Sequence, residues 1–148
     1  MIRPMQEGDA PWVAALIRTA FAAIGTKLDP PPSALRVTAE AIREHLQTGG
    51  GAVYGFDGCI LWSVKDGGLY VGRLAVLPEH RGQGIAMALL RQAETVARST
   101  RLPRIHLEVR LALASNRRLF ARAGFVEGAH RAHPGYAYPT YVEGEKRL

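Results

Sequence analysis

The chain has 148 residues, 47% of them hydrophobic, 22% charged and 7% aromatic, which fits one globular domain spanning residues 1–148 and excludes wholesale disorder, collagen-like sequence and coiled coil. Nineteen Lys and Arg against thirteen Asp and Glu give a net charge of +6, which favours anionic partners at long range. The basic residues are scattered, only Arg117-Arg118 and Lys146-Arg147 being adjacent, so the basic stripe of a nucleic-acid reader is missing and no nucleic acid is expected as a partner.

In chain order, Met1–Met5 reads as a short edge strand, and Met1–Asp9 holds no apolar stretch of leader length. Asp9 is placed to cap a helix over 10–24 that carries Trp12, Val13, Leu16, Ala20 and Phe21. Asp29 and Pro30–Pro32 end that segment. Ser33 is placed to cap a second helix to Gln47, where Leu35, Ala39, Ile42 and Leu46 recur three or four apart. After Gly49–Gly51 come three β-rich segments, Ala52–Phe56, Cys59–Lys65 and Leu69–Leu77, joined by Asp57-Gly58 and Asp66-Gly67-Gly68. Asp-Gly between apolar runs signals a hairpin, because both central residues of the favoured turn take positive φ, and an antiparallel meander is expected. Gly72 inside the last of these strands marks a bulge, a close backbone approach or a packing need.

Ile85, Leu89, Ala93 and Val96, with Ala86, Leu90 and Ala97 beside them, describe a helix with one broad apolar face. Arg104–Arg110 then alternates strictly, Ile105, Leu107 and Val109 against His106, Glu108 and the flanking arginines, as a strand does. Ser115 or Asn116 is placed to cap a short helix through Ala123, Gly124 ends it, and Phe125–His130 and Thr140–Lys146 read as further strands. The fold class is α/β, a mixed, mostly antiparallel central sheet flanked by helices. Cys59 is the only cysteine, which excludes an intrachain disulfide and a cysteine-rich zinc site. With no apolar run near the ~18–20 residues of a membrane span, a cytoplasmic protein with no membrane partner is expected.

Leu77–Ala86 lies between a strand and the amphipathic helix, where free amides and the positive end of the helix dipole collect an anion. Gly82 and Gly84 leave no side chain in a ligand's way, and Arg81 adds a permanent charge suited to phosphate. No Walker string is present, and Met87 stands where the dinucleotide fingerprint needs a third glycine. His130 and His133 read as loop histidines without a third ligand, so no metal is expected.

Arg81-Gly82-Gln83-Gly84-Ile85-Ala86 matches the pattern Arg/Gln-x-x-Gly-x-Gly/Ala, and Ile2-Arg3-Pro4, Val76-Leu77-Pro78, Asn116 and Phe120–Phe125 fall where its companion motifs fall. On these residues most of the chain resembles the GNAT family of acetyl-CoA-dependent N-acetyltransferases. The resemblance implies the acyl-CoA N-acyltransferase fold, with acetyl-CoA as cosubstrate. It implies that Arg81, Gly82, Gln83, Gly84, Ile85 and Ala86 hold the coenzyme A pyrophosphate and that Leu74, Ala75 and Val76 line the pantetheine arm. Asn116 would touch the outer part of that arm, Phe120 would wall the thioester pocket, and a main-chain amide near Val76 would face the developing oxyanion.

Acetyl transfer to an amine needs a neutral amine, an oxyanion donor and a proton for the departing thiolate. Glu108 is the expected base; its structural alternative is an ion pair with Arg110 or His106 on the same strand face. Many members of the family carry tyrosine where Phe120 stands, so the usual acid is missing, and among Tyr136, Tyr138 and Tyr141 in the tail Tyr138 is taken as its substitute. The acceptor is expected to be a primary amine of a small metabolite, amino acid or peptide, attacking directly in a ternary complex. Residues 26–48 and 130–139 are expected to select it; Asp29, Glu40 and Glu44 are their only carboxylates, which argues against a polycation. A coenzyme A-binding regulatory module without turnover is the alternative from another class, motivated by Phe120. Monomer and homodimer are both compatible with the resemblance.

Overall fold

The first strand, β1 (Ile2–Pro4), is tied to the first helix by a buried carboxylate. In the computed structural model, which describes residues 1–25 and 28–148, Asp9 accepts both Nη groups of Arg3 and the Gln6 amide at 2.8 Å, and Trp12 Nε1 at 3.1 Å. The Arg3 hydrogen bond above all holds the Asp9 carboxyl far below the usual carboxylate range, overcoming the opposing effect of burial. Asp9 is therefore not a helix cap. Its carboxylate is turned back on Arg3 and Gln6, it closes a 3-10 turn over Glu7–Asp9, and α1 (Ala10–Gly25) follows directly.

Ser33 does not cap the second helix either. Ser33–Arg36 forms a separate 3-10 turn, and Thr38 opens α2 (Ala39–Thr48) by accepting the Ala41 amide at 3.1 Å. Val37 explains the break: its side chain is buried and its carbonyl accepts Arg18 Nη1 at 2.6 Å, so the chain is pinned to the core in extended form before α2 begins.

Next, β2 (Gly50–Tyr54), β3 (Gly58–Lys65) and β4 (Gly68–Val76) form the expected antiparallel meander. Asp66 and Gly67, with φ of 51° and 73°, make the expected two-residue turn. The other turn is Gly55–Asp57 instead of Asp57-Gly58, because Gly58 already pairs with Tyr54 and Gly55 supplies the positive φ, 51°. The helix α3 (Ile85–Ser99) then crosses to β5 (Arg104–Arg110), which lies parallel to β4. α4 (Ala114–Arg122) starts after Leu113 with no side-chain cap; a tight turn, Leu113 N to Arg110 O at 3.0 Å, sets its beginning, so neither Ser115 nor Asn116 is used. Last come β6 (Val126–Arg131), which takes in His130 as a strand residue, and β7 (Tyr141–Arg147).

The seven strands make one mixed sheet in the order β1-β2-β3-β4-β5-β7-β6, and β4–β5 is its parallel pair. On one face α1 and α2 cover Val53, Cys59, Leu61 and Ala75. On the other, Ile85, Leu89, Leu90, Ala93 and Ala97 of α3 cover Ile60, Leu69, Val71, Ile105 and Leu107. Cys59 is wholly enclosed, and burial pushes its thiol up to about 12. Among the described residues no helix is long and apolar enough to cross a membrane.

Replacing Asp9 by alanine leaves the Gln6 amide and the Trp12 Nε1–H without their acceptor and is expected to lower stability by about 1–2 kcal/mol, read from urea unfolding. Because the folded pKa of Asp9 is depressed, its contribution is complete above the unfolded value of about 3.9 and is lost as pH falls toward the folded value. The acid-limb slope of wild-type stability should shrink in Asp9→Ala. A disulfide reagent at about pH 8 should leave the Cys59 thiol unmodified until guanidinium unfolds the chain; prompt labelling of the folded protein would contradict its enclosure.

Candidate active site

β4 and β5 pair at Leu69 with Ile105 and at Tyr70 with His106, then diverge. On the β3 side of β4 the register slips: Ala75 faces Cys59 but Gly72 faces Leu61, so β4 carries one extra residue. Arg73 occupies this bulge with φ of 51°, a conformation that costs a residue with a Cβ about 1 kcal/mol. A Cβ on Gly72 would meet only Tyr70 Cε2, at 3.5 Å, so packing alone does not demand glycine there. Cys59 Sγ donates to Arg73 O at 3.6 Å and the Leu77 amide to Asp57 O at 2.9 Å, both toward β3. Successive amides of a strand alternate, so Val76 N–H is turned the other way, into the gap.

The gap opens into a cleft of about 660 Å³. Leu74, Ala75 and Val76 line it from β4, Gly82, Gly84, Ile85 and Ala86 from the turn into α3, and Asn116 and Phe120 from α4. Gly82 and Gly84 have φ of 77° and 80°, and nothing lies within 4 Å of where their Cβ atoms would be. The turn thus requires glycine by conformation and leaves open space above it. α3 starts from Gly84 with no side-chain cap, so its first amides and the positive end of its dipole are available to an anion in the cleft. Gln83 is exposed and does not line the cleft.

Arg81 lines the cleft and gives Nη2 to the carbonyl of Ala20 at 3.1 Å, tying the turn to α1; among the described residues its other donors have no partner. Arg122, Phe21 and Ile24 also line the cleft and were not anticipated. Their signal is helical spacing: Ser115, Leu119 and Arg122 recur at four and three residues along α4, and Phe21 and Ile24 lie three apart near the end of α1.

Glu108 does not line this cleft. It stands on β5 two residues past the last β4 pair, in a hollow of about 170 Å³ shared with Tyr70, His106 and Glu143. Its Oε1 accepts the Tyr70 hydroxyl at 3.4 Å. The ion-pair alternative is not formed: Arg110 Nη2 donates to Pro30 O at 2.6 Å, and His106 Nε2 bonds Lys65 O at 2.8 Å. Burial, then the neighbouring Glu108, pushes the Tyr70 phenol up to about 12, so Tyr70 remains a donor at neutral pH. Tyr70 belongs to the expected meander, and its alternation with Leu69 and Val71 puts it on the opposite face from those core residues.

Tyr138 is 58% exposed, packs edge-on against Tyr136 at 5.9 Å, and lines neither hollow. The Tyr136 hydroxyl donates to Asp29, and His133 packs against Tyr141 at 5.0 Å. Burial, then the charge of Arg110, lowers the His133 pKa while Glu108 opposes them. Of the two segments expected to select an acceptor, Thr26 and Lys27 lie outside the described residues. The two segments touch where Tyr136 donates to Asp29, and Pro30 is held to β5 by Arg110. No group of three metal-ligating side chains occurs among the described residues.

The model of the acetyltransferase (GNAT) family matches residues 29–125, and no curated protein matches the chain. Among solved structures the chain is similar to a GNAT-family protein from Desulfovibrio desulfuricans, at 21% identity and TM-score 0.80 over 99% of this chain and 98% of that one. It is similar to the PaiA N-acetyltransferase of Thermoplasma acidophilum, solved with coenzyme A, at 18% identity and TM-score 0.77 over 100% and 98%. A GNAT acetyltransferase of Elizabethkingia anophelis with acetyl-CoA bound is 19% identical, with TM-score 0.73 over 100% and 97%. At these identities the likeness is one of fold. The matched span, from Asp29 to Phe125, runs through the diverging strands, the glycine turn and α4, and by that match the chain belongs to the GNAT acetyltransferase family.

Proposed function

We propose that residues 1–148 act as one N-acetyltransferase domain that carries the acetyl group of acetyl-CoA to a primary amine by direct attack in a ternary complex. The observation that carries this reading is the gap between β4 and β5, which leads from free main-chain groups to the uncapped start of α3. The residues present fit the cosubstrate: the positions above Gly82 and Gly84 are open, and the cleft joins an anion-binding end to a strand edge. Two fold neighbours hold coenzyme A or acetyl-CoA.

On this reading the pyrophosphate rests on the amides of Gly82, Gly84, Ile85 and Ala86, with Arg81 and Arg122 as charged partners and Gln83 contributing main chain alone. Leu74, Ala75 and Val76 run beside the arm, Asn116 meets its outer part and Phe120 walls the thioester. Val76 N–H faces the carbonyl oxygen as negative charge develops there. Glu108 accepts the proton of the attacking amine directly or through water, its carboxylate oriented by Tyr70. Holding amine and thioester together removes roughly 7–11 kcal/mol of barrier. Phe120 has no hydroxyl and Tyr138 faces solvent; a thiolate leaves readily, so water suffices as its proton source. The acceptor amine belongs to a small metabolite, amino acid or peptide. The buried lone Cys59 suits a reducing cytoplasm. Phe120 also favours a second reading, a coenzyme A-binding module without turnover, which release of free thiol from acetyl-CoA and an amine panel excludes.

Calorimetry should show saturable acetyl-CoA binding, and Gly84→Val, which forces a β-branched residue to positive φ, should weaken it about tenfold or more. Absence of heat at millimolar cosubstrate would end the transferase reading. Glu108→Gln is expected to lower kcat about a hundredfold; a variant with unchanged kcat would remove Glu108 as the base.

A further inference from the structure

Between α3 and α4 lies a second hollow, of about 190 Å³, that shares Met87 and Arg122 with the cleft and so continues it past the glycine turn. Its floor is apolar, since Leu90, Ile105 and Phe125 are all buried. Its rim is charged. Arg91 enters from α3, Arg122 from the last turn of α4 and Lys146 from β7, against one carboxylate, Glu94. That carboxylate is already answered, by Lys146 Nζ at 2.5 Å and by Arg98 at 3.7 Å. Arg91 and Arg122 are exposed, and among the described residues neither guanidinium forms an ion pair or donates a hydrogen bond. Arg122 suits the end of its helix by charge alone. Arg91 does not: it stands mid-helix with Met87 and Thr95 four residues to either side, so no pairing along the helix surface accounts for it. Two unneutralised positive charges thus stand on two helices that wall one hollow.

From this arrangement we infer that the rim of the hollow is a site for a phosphate monoester, the 3′-phosphate of coenzyme A, held between Arg91 and Arg122. The inference rests on the acetyl-transfer reading and extends it from the diphosphate to the far end of the cosubstrate. A phosphate monoester carries about −1.5 to −2 near pH 7, which two guanidiniums match, and each presents a planar pair of donors that fits phosphate oxygens. Arg91 lies roughly 10 Å along the helix axis from Gly84, at ~1.5 Å per residue. A phosphate at Arg91 is therefore distinct from one on the first amides of α3, and a ribose bridges the interval past the flexible side chain of Met87. Arg122 lines both hollows and serves both phosphate groups, whereas Arg91 lines only the second. Arg91 is then a specificity-determining residue for the 3′-phosphorylated cosubstrate.

The test is calorimetry with coenzyme A beside 3′-dephospho-coenzyme A. Coenzyme A should bind about ten- to thirtyfold more tightly, and this preference should shrink as salt is raised. Arg91→Gln should lose most of the preference by weakening coenzyme A alone, and Arg91→Lys should keep part of it. Arg122→Gln should weaken both forms and lower the preference as well. Equal affinity of the wild-type protein for the two forms, or a preference unmoved in Arg91→Gln, overturns the inference and leaves the transferase reading standing. So does an Arg91→Gln variant that loses affinity for both forms alike. No saturable binding of either form removes the transferase reading, and this inference with it.

Discussion

Parallel strands are held together by evenly spaced, slanted hydrogen bonds, and between β4 and β5 that ladder is two residues long. Buried main-chain groups must find partners, so a strand pair that separates inside a protein is stable only if something else spans the opening or water reaches it. Here α3 does the holding: Leu89 and Ala93 pack in one core with Leu69 of β4 and with Ile105 and Leu107 of β5. The separation follows from the extra residue in β4, which shifts its register against β3 and turns the strand away from its parallel neighbour. From that one irregularity come the cleft, the aim of the Val76 amide and the unusual backbone of Arg73.

Charge is divided between the two mouths of the opening. Toward the glycine turn, Arg81 and Arg122 add to the positive end of α3, a combination suited to phosphate oxygens. Toward β5, the Tyr70 hydroxyl meets the Glu108 carboxylate, setting a donor beside an acceptor. A net charge of +6 says little by itself; its meaning lies in where strand alternation and helix spacing put individual guanidiniums. Arg81 also joins the two regions, because its hydrogen bond to Ala20 fastens the glycine turn to α1, which precedes the segment lying beside β5.

Much of the architecture was legible in residue order. The meander, the crossover through α3, the strict alternation of β5 and the glycine turn all rest on local chemistry that tertiary packing did not overrule. Helix starts were less legible. Asp9, Ser33 and Ser115 are each a good capping residue by type, but Asp9 was claimed by Arg3, Ser33 was isolated by the buried Val37, and Ser115 was bypassed by the turn at Leu113. Ion pairing along β5 was also misjudged: residues two apart on a strand share a face, yet Arg110 and His106 bond carbonyls of other segments. Gly72 pointed to an irregularity in β4, but that Arg73 would take the positive φ was not legible, because register, which depends on three strands at once, decides it.

The short β4–β5 ladder has a consequence for any molecule lodged in the opening. Such a molecule has to act as a borrowed strand, an extra element of the sheet supplied from outside the polypeptide. It must be slender and extended, with amide-like groups at intervals that answer the peptide units on either side; a plain hydrocarbon tail of equal length would leave those peptide units dry and unanswered. The sheet thereby reads backbone chemistry in its guest, with no side chain needed for the reading.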